Sequence, residues 1–451
     1  MLAMDIDNTT IPRARVAQGE PEKYQAEFKT GRRQYAQQFN ELYYKRLNVL
    51  KPHVQGHASA KWAGTHKIEW TQKVLNVEGP EPTYIIGTVF IDTPAKPSTL
   101  EQVEKTHWIS EPVLPGTYRD GSETVYLEDE SGRIRLVGRA IDEAALASGV
   151  VAAVMGSETP GGDFDVVDMC FAGMAAQPAR TVGDADAFVA LVSGINATVE
   201  TPVTLEMQLL AEFLGGAAGG AGDQRRNAQI VQTVIAGNTM RMPAPPLGHT
   251  EDARANDRVP VQRLVAAVDA FLADIAAAMP LTLLPGGGDP ADVSLPQQPL
   301  HPSMFAQCRQ FAGFRSVTNP AYFEIGGTLM LGSAGQNVDD LRRYACGEPS
   351  QLAAQSLQWR HIAPTAPDTL WCYPFTEHDP FVVRQTPHVY FAGNQERFDV
   401  ATAAGTDGQL TRVVMVPDFS QSHTIVLLNL RTLECSSVRI DALGGAGHGG
   451  Q

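Results

Sequence analysis

The stretch Leu281-Thr282-Leu283-Leu284-Pro285-Gly286-Gly287-Gly288-Asp289 decides the fold, because an apolar run passes directly into a glycine-rich turn. Residues 188–194 and 230–238 have the same form, an apolar run that ends in small residues. Apolar residues recur at helical spacing across 260–278, between the second run and the third. Strand, turn, helix and strand in this order predict a layered α/β fold. In such folds, ligands bind at the carboxyl ends of the strands.

The carboxyl ends of these strands lack the residues that a metal-dependent phosphoesterase needs there. Such a site takes Asp, Asn and His at short range, because two divalent ions require oxygen and imidazole donors. One carboxylate and two amides cannot hold two such ions tightly, and Asp289 is more simply a turn or helix cap. We therefore expect a phosphoesterase-like scaffold without catalytic residues, metal ligands or other cofactors. Its vestigial site positions are Ser193, Gly194, Gly237, Asn238, Gly287, Gly288, Asp289 and Asn394.

The region from about 68 to 178 has a different sequence pattern, in which short runs typical of strands are interrupted by glycine. Residues 124–130 and 133–138 flank Ser131-Gly132, a polar-glycine turn that predicts a β-hairpin. Further apolar runs lie at 84–90, 150–156 and 164–171. About five short strands predict a small barrel, for which an OB-fold is the best match. The fold class expected for the chain is therefore α/β plus all-β.

The segments outside these two regions are expected to be less regular. Apolar side chains between Tyr35 and Leu50 recur at three- and four-residue steps, which predicts an amphipathic helix that ends near Pro52. The composition of 214–223 and 241–259 predicts a flexible loop and a surface insertion. The expected division is a flexible N-terminus at 1–30, a helical segment at 31–66, an OB-fold domain at 67–180, an inactive phosphoesterase-like domain at 186–443 and a flexible glycine-rich tail at 444–451.

Composition and charge narrow the possible function classes. The net charge of −15 disfavours autonomous binding to DNA, because a grip on the phosphate backbone usually requires a basic surface. Five scattered cysteines without a CxxC pair disfavour disulfides and cysteine-based zinc sites, and they indicate a reducing compartment. No apolar run reaches the roughly 18 residues of a membrane span, and the N-terminus lacks a signal-peptide pattern. We expect a soluble, intracellular protein without membrane contact.

Several specific motifs follow the third apolar run in a fixed order. The most specific is Leu295-Pro296-Gln297-Gln298-Pro299-Leu300-His301-Pro302, which no general folding rule produces. The others lie at 285–290, 317–320, 331–338, 360–370, 372–375, 388–394 and 416–420. Together they resemble the small (B-type, second) subunit family of DNA polymerase delta, over most of 285–435 and more thinly back to about Gly31. The resemblance implies an OB domain joined to a calcineurin-like phosphoesterase domain that has lost its activity.

The same resemblance implies a non-catalytic accessory subunit that acts in the nucleus, in DNA replication and repair. The implied partners are the C-terminal cysteine-rich domain of the polymerase delta catalytic subunit and the third subunit, whereas the sliding clamp is reached only indirectly. The small subunit is shared with polymerase zeta in some lineages of the family. Since proline pre-orders an extended segment for binding, the partner-interface candidates are Leu295, Pro296, Gln297, Gln298, Pro299, Leu300 and His301. That this loop packs on its own domain instead is equally open.

Three alternatives stay open. The B-type small subunits of polymerases alpha and epsilon are close rivals, although the Leu-Pro-Gln-Gln-Pro-Leu-His-Pro run argues against both. An active phosphoesterase is less expected, and the possible catalytic imidazoles His301, His361 and His388 are more simply structural. A barrel that binds single-stranded DNA needs a basic groove with exposed aromatic residues. The hairpin carries Arg133, Arg135 and Arg139, but acidic residues at 128–130 lie across its turn.

Overall fold

The computed structural model describes residues 12–17, 19, 26–31, 33–34, 36–64, 68–96, 116–243, 251–441 and 447–449. Three sheets organise these residues, one in the first third of the chain and two in the remainder. Parts of the predicted N-terminus, of the insertion at 241–259 and of the C-terminal tail lie outside the described residues.

A long helix, α1 (Asn40–Trp62), precedes the sheets and runs straight through Pro52. The prediction that this helix ends near Pro52 is therefore wrong. Leu50, Val54 and Trp62 are all buried and pack into one apolar cluster with barrel residues, so the buried face continues past the proline. Packing of this face stabilises the helix more than the missing backbone hydrogen bond at Pro52 destabilises it.

The first sheet closes into a barrel, as the sequence predicts. Its strands β2, β3, β4, β6 and β5 are neighbours in that order, and β5 pairs again with β2. The predicted hairpin is formed by β3 and β4, in which Glu128 lies opposite Arg133. A five-residue helix, α2 (Arg139–Glu143), follows β4. The strands of this sheet are β1 Glu69–Trp70, β2 Thr83–Asp92, β3 Thr124–Glu128, β4 Arg133–Val137, β5 Val151–Glu158 and β6 Phe164–Phe171.

The other two sheets share one apolar layer, to which Val234 and Phe391 belong. The seven-stranded sheet has the order β10-β9-β8-β7-β16-β17-β18, and the five-stranded sheet has the order β11-β12-β13-β15-β14. Their strands are β7 Phe188–Val192, β8 Ile230–Ala236, β9 Leu281–Leu284, β10 Phe314–Ser316, β11 Ala321–Ile325, β12 Thr328–Ser333, β13 Val389–Gln395, β14 Asp399–Ala404, β15 Leu410–Pro417, β16 Thr424–Asn429, β17 Cys435–Arg439 and β18 Gly447–Gly449.

Helices cover the outer faces of both sheets. Phe213 and Val268 pack with the seven-stranded sheet, whereas Val338 and Leu357 pack with the five-stranded sheet. The result is a layered α/β arrangement, as predicted. The helices of this part are α3 Leu205–Gly215, α4 Ala221–Asn227, α5 Glu251–Ala278, α6 Gln336–Tyr344, α7 Pro349–Gln358 and α8 Phe419–Ser422.

Several segments predicted to be irregular are ordered. Residues 251–259 belong to α5 rather than to a surface insertion, and 221–223 begin α4. Residues 447–449 add a strand to β17. Near the N-terminus, the Arg13 guanidinium donates to the carbonyl oxygens of Leu214 and Ile230 at 2.6 and 2.7 Å. Arg13 and residues 447–449 are held by hydrogen bonds to other parts of the chain, which local composition does not reveal.

Candidate functional site

The predicted strand-end positions of the two facing sheets meet at one place. The Asn394 side-chain amide in β13 donates to the carbonyl oxygen of Ala236 at the end of β8 and to that of Ala334 after β12, at 3.1 and 2.8 Å. The Ser193 hydroxyl, directly after β7, accepts from the backbone N–H of Asn394 at 2.8 Å. The same hydroxyl lies 3.0 Å from the carbonyl oxygen of Pro417 in β15. The structure therefore brings the ends of five strands into direct contact.

Glycines make this contact possible. Gly237 has a φ of 81°, and a Cβ atom there would lie 2.4 Å from the Cβ atom of Ala334. Gly335 has a φ of 99°, and a Cβ atom there would lie 2.1 Å from the carbonyl oxygen of Gly393. A side chain at Gly237 would push the two sheets apart, and one at Gly335 would push the turn after β12 away from β13 within the five-stranded sheet. The close approach of the strand ends therefore depends on glycine at both positions.

Asp289 accepts hydrogen bonds from the backbone of the same region. Its side chain is only 6% exposed, and its two carboxylate oxygens accept from the N–H groups of Met240 and Gly286 at 2.9 and 2.8 Å. Burial raises the pKa of Asp289 to about 7, although these N–H groups lower it. The neighbouring Asn238 accepts from the N–H of Gly288 at 2.8 Å. Both side chains close turns, which is the simpler role that the sequence predicts for Asp289.

A second carboxylate near the strand ends, Asp418, is missing from the set predicted from sequence. It follows β15 and accepts from the side chains of Asn196 and Ser420 at 2.8 and 2.6 Å. A Cβ atom at Gly194 would lie 2.6 Å from its Cγ atom. The position of Asp418 after a long apolar run is the signal that could have found it. Among the described residues, no group of three or more His, Cys, Asp or Glu side chains is placed to hold a metal ion.

Two family models match the chain. The model for the OB-fold domain of the DNA polymerase delta subunit matches residues 38–169, which include α1 and nearly all of the barrel. The model for the B-type subunit of DNA polymerase alpha/epsilon matches residues 189–400, which hold most of the two facing sheets. The barrel is thus an OB-fold domain.

Curated relatives extend the match to nearly the whole chain. The DNA polymerase delta small subunit of Arabidopsis thaliana is 36% identical over 404 residues, covering 89% of this chain and 91% of the relative. The chain belongs to the DNA polymerase delta small-subunit family. The small subunit of Oryza sativa subsp. japonica is 36% identical over 90% of this chain and 94% of the relative. That of Saccharomyces cerevisiae is 31% identical over 91% of each chain.

In this member of the small-subunit family, the loop at 295–301 is largely enclosed by its own chain. Gln297 donates to the carbonyl oxygens of Gly286 and Asp292, and Gln298 donates to that of Phe28. Side chains that are buried in this way present no surface to another protein. The buried positions are Leu295, Pro296, Gln297 and Leu300, whereas Gln298 and Pro299 are half-buried and His301 is exposed.

The three histidines singled out in the sequence lie apart from one another. The buried His388 accepts from the N–H of Leu329 at 2.9 Å, and its Nε2 lies 2.9 Å from the carbonyl oxygen of Pro178. His301 lies in a turn, with its Nδ1 2.7 Å from the Ser303 hydroxyl. His361 is buried 2.8 Å from Asp379. These contacts are local or structural and do not converge on the strand ends.

The three basic residues predicted for the barrel hairpin each face a carboxylate of the same chain, but Arg139 lies in α2 after the hairpin rather than on it. Arg139 lies 2.6 Å from Glu143, in a pair exposed to solvent. Arg133 and Arg135 lie at longer range, 3.8 Å from Glu128 and 3.7 Å from Asp163. The arginines therefore alternate with acidic groups, so they do not form a continuous basic strip.

One buried cluster, centred on Arg46 of α1, has no sequence signal. The Arg46 side chain is fully buried, and its Nε donates to the Asp379 carboxylate at 2.8 Å. Its terminal nitrogens donate to the carbonyl oxygens of Pro364 and Ala366 at 2.7 and 2.6 Å, and another contact reaches Gly149 beside the barrel at 3.3 Å. One guanidinium therefore joins α1, the barrel and the α/β part of the chain.

None of the helices in the described part of the chain is both long and apolar enough to span a bilayer.

Proposed function

We propose that this chain is the non-catalytic small subunit of DNA polymerase delta and acts in the nucleus, in DNA replication and repair, by holding other subunits. The observation that carries the proposal is the extent of the match, since 36% identity spans about nine-tenths of both chains. The model that matches 189–400 is named for the alpha and epsilon polymerases. The OB-fold model and the curated relatives name delta, which favours delta over both.

The α/β part is proposed to be a calcineurin-like phosphoesterase domain, at about 186–443, that has lost its activity. The OB-fold domain would occupy about 67–180. Two observations support the loss of activity. The carboxylate of Asp289 is taken up by backbone N–H groups, and glycine contacts close the strand ends. A metal pair would need donors that the remaining side chains there do not offer.

The proposed partners are the cysteine-rich C-terminal domain of the catalytic subunit and the third subunit, with the sliding clamp reached only through the latter. Sharing with polymerase zeta is part of the same proposal. Within the loop at 295–301, only Gln298, Pro299 and His301 have exposed surface. These three residues are the remaining interface candidates, because the side chains of the other four are buried and cannot contact a partner.

Co-expression tests the assembly directly. The tagged full chain is produced with the catalytic subunit and the third subunit of the same organism, and the retained proteins are identified after gel filtration. We expect both subunits in one complex, and a catalytic subunit without its C-terminal cysteine-rich domain should not be retained. If the unaltered chain recovered neither partner, the proposed function would be refuted.

A hydrolysis assay tests the inactive site. The purified chain is incubated with bis(p-nitrophenyl) phosphate and manganese, beside an Asp289→Ala variant prepared in the same way. We expect both to show the background rate of buffer alone. Turnover by the unaltered chain that disappears in Asp289→Ala would establish an active phosphoesterase instead.

A further inference from the structure

A groove runs between the start of α1 and the barrel. Its volume is about 390 Å³, and its apolar wall includes Tyr43, Tyr44 and Leu47 of α1 and Phe90 of β2. Tyr44 is 51% exposed, so much of its aromatic ring is accessible at the groove. Exposed aromatic side chains beside a cavity are typical anchor points of protein interfaces.

The rim of the groove is acidic. Glu128, Asp129, Glu130 and Asp368 line it, and no lysine, arginine or histidine is among its described lining residues. A negatively charged rim repels nucleic acid and attracts a cationic partner.

The carboxylates of this rim are only partly neutralised from within the chain. Asp368 is paired with Lys96 at 2.8 Å, whereas Glu128 lies 3.8 Å from an exposed Arg133. Glu130 has no ion pair with any residue in the described part of the chain. Burial raises the pKa of Asp129, but hydrogen bonds from Ser131 and backbone N–H groups outweigh it, so this pKa is lowered and the group stays ionised. Negative charge is thus left over at the groove.

The apolar surface continues across the first turn of α1. Phe39 lines a second cavity of about 230 Å³, while the next residue, Asn40, lines the groove itself. Phe39 is 44% exposed. Val293 lines the same second cavity and is 76% exposed. The start of α1 therefore lies between the groove and a second cavity, and the second cavity also contains the ion pair of Arg33 and Asp292.

We propose that the groove and its acidic rim bind a basic segment of a partner subunit. An apolar side chain of the partner would lie in the groove, and its lysine or arginine side chains would lie against the rim carboxylates. The inference rests on the proposed function. It adds where on this chain the partner subunit makes contact, and it adds that the contacting segment of the partner is basic. Apolar centres with charged edges are the common anatomy of protein interfaces. Charge complementarity selects the basic occupant.

Charge reversal at the rim tests the inference. The variant Glu128→Lys/Glu130→Lys is compared with Glu200→Lys/Glu212→Lys, which makes the same change in net charge at exposed positions elsewhere in the chain. Affinities for the catalytic subunit and for the third subunit are each titrated with the full chain at several salt concentrations. We expect the rim variant to bind one of them about tenfold or more weakly, and the salt dependence of that binding to decrease. The control variant should bind as the unaltered chain does.

Tyr44 provides a second, uncharged test. Tyr44→Ala should weaken binding of the same partner by about tenfold. Tyr44→Phe should retain it, because the phenyl ring still forms the apolar wall of the groove. Thermal unfolding of each variant separates lost binding from lost folding. Unchanged affinities for both subunits in the rim and Tyr44→Ala variants would overturn the inference and leave the proposed function standing. A rim variant that lowers only the unfolding temperature would overturn it too, because the rim carboxylates would then contribute to folding and not to binding.

Discussion

Arg46 carries the clearest prediction at the level of a single residue. Replacing it with methionine removes the one fully buried guanidinium of the described residues. It leaves the Asp379 carboxylate buried beside His361, whose lowered pKa of about 4 keeps it neutral at pH 7. Breaking a buried ion pair on one side costs about 3–5 kcal/mol. We expect Arg46→Met to lower the free energy of unfolding by about that amount in urea denaturation.

The exposed Arg133 is the matched control for Arg46. Its side chain is 62% exposed, and its ion pair is long. Arg133→Met should change the free energy of unfolding by less than about 0.5 kcal/mol. Equal effects of the two substitutions would show that Arg46 does not join the two parts of the chain.

His361 predicts a dependence of stability on pH. Burial, followed by the nearby Arg46 charge, lowers its pKa from 6.5 to about 4. As the pH falls from 6.5 towards 4, the unfolded chain binds a proton that the folded chain refuses, so the folded state loses stability in this window. A shift of one pKa unit corresponds to about 1.4 kcal/mol, so the loss from this group amounts to about 3 kcal/mol.

The variant His361→Gln isolates this contribution. A glutamine amide can still donate to the Asp379 carboxylate, as the imidazole Nε2 does at 2.8 Å, but it does not titrate. We expect the free energy of unfolding of His361→Gln to fall less than that of the unaltered chain between pH 6.5 and pH 4. Parallel pH profiles for the two proteins would contradict the assignment. Asp379 does not titrate in this window in the unaltered chain, because His361 and Arg46 outweigh the effect of burial and hold its pKa below the usual range. In His361→Gln, the Arg46 charge still lowers the pKa of Asp379.

At the scale of single elements, Pro52 lowers the stability of α1 relative to the same helix with alanine at this position. The ring removes the N–H that would donate to the carbonyl of Asn48, and Pro52 itself is exposed, so nothing compensates by packing. Proline in a helix interior costs about 3 kcal/mol relative to alanine. We expect Pro52→Ala to raise the free energy of unfolding by about 1–3 kcal/mol, measured by the loss of helical circular dichroism on heating.

Gly56 on the same helix is the control for this element. A Cβ atom there would meet nothing within 4 Å, so Gly56→Ala should add only the ordinary gain of about 0.5–1 kcal/mol. If Pro52→Ala destabilised the chain while Gly56→Ala stabilised it, the proline would be needed to shape the helix against the barrel.

Which elements the sequence predicts depends on how local their causes are. The strands β7, β8 and β9 follow from apolar runs that end at glycine, and the hairpin follows from its turn, because these signals lie within a few residues. The passage of α1 through Pro52 depends on burial against the barrel, more than 20 residues away. The strand-end residues could be placed from sequence because each follows its strand.

The parts of the site that sequence reasoning missed depend on contacts across the fold. Arg46 and Asp379 are 333 positions apart, and no pattern near either one indicates the pairing. Asp418 follows an apolar run of its own, but its contact with Asn196, which is 222 positions away, is visible only in the fold. The burial of Leu295 and Gln297 likewise comes from partners at Trp371 and Asn319, so a proline-rich composition alone does not distinguish an internal loop from a contact surface.

At the scale of the whole molecule, the charge of −15 and the paired arginines of the barrel predict the response to single-stranded DNA. Nonspecific affinity comes from cations that displace counterions from phosphate. Here Arg133, Arg135 and Arg139 each face a carboxylate. We expect the full chain to bind labelled oligothymidine with a Kd weaker than about 100 µM in fluorescence anisotropy at physiological salt. The variant Glu128→Gln/Glu143→Gln/Asp163→Asn releases three arginines and should bind more tightly, with affinity that falls as salt rises. Micromolar, salt-sensitive binding by the unaltered chain would mean that the barrel grips DNA despite its acidic surroundings, and the barrel would then have to be regarded as a nucleic-acid module.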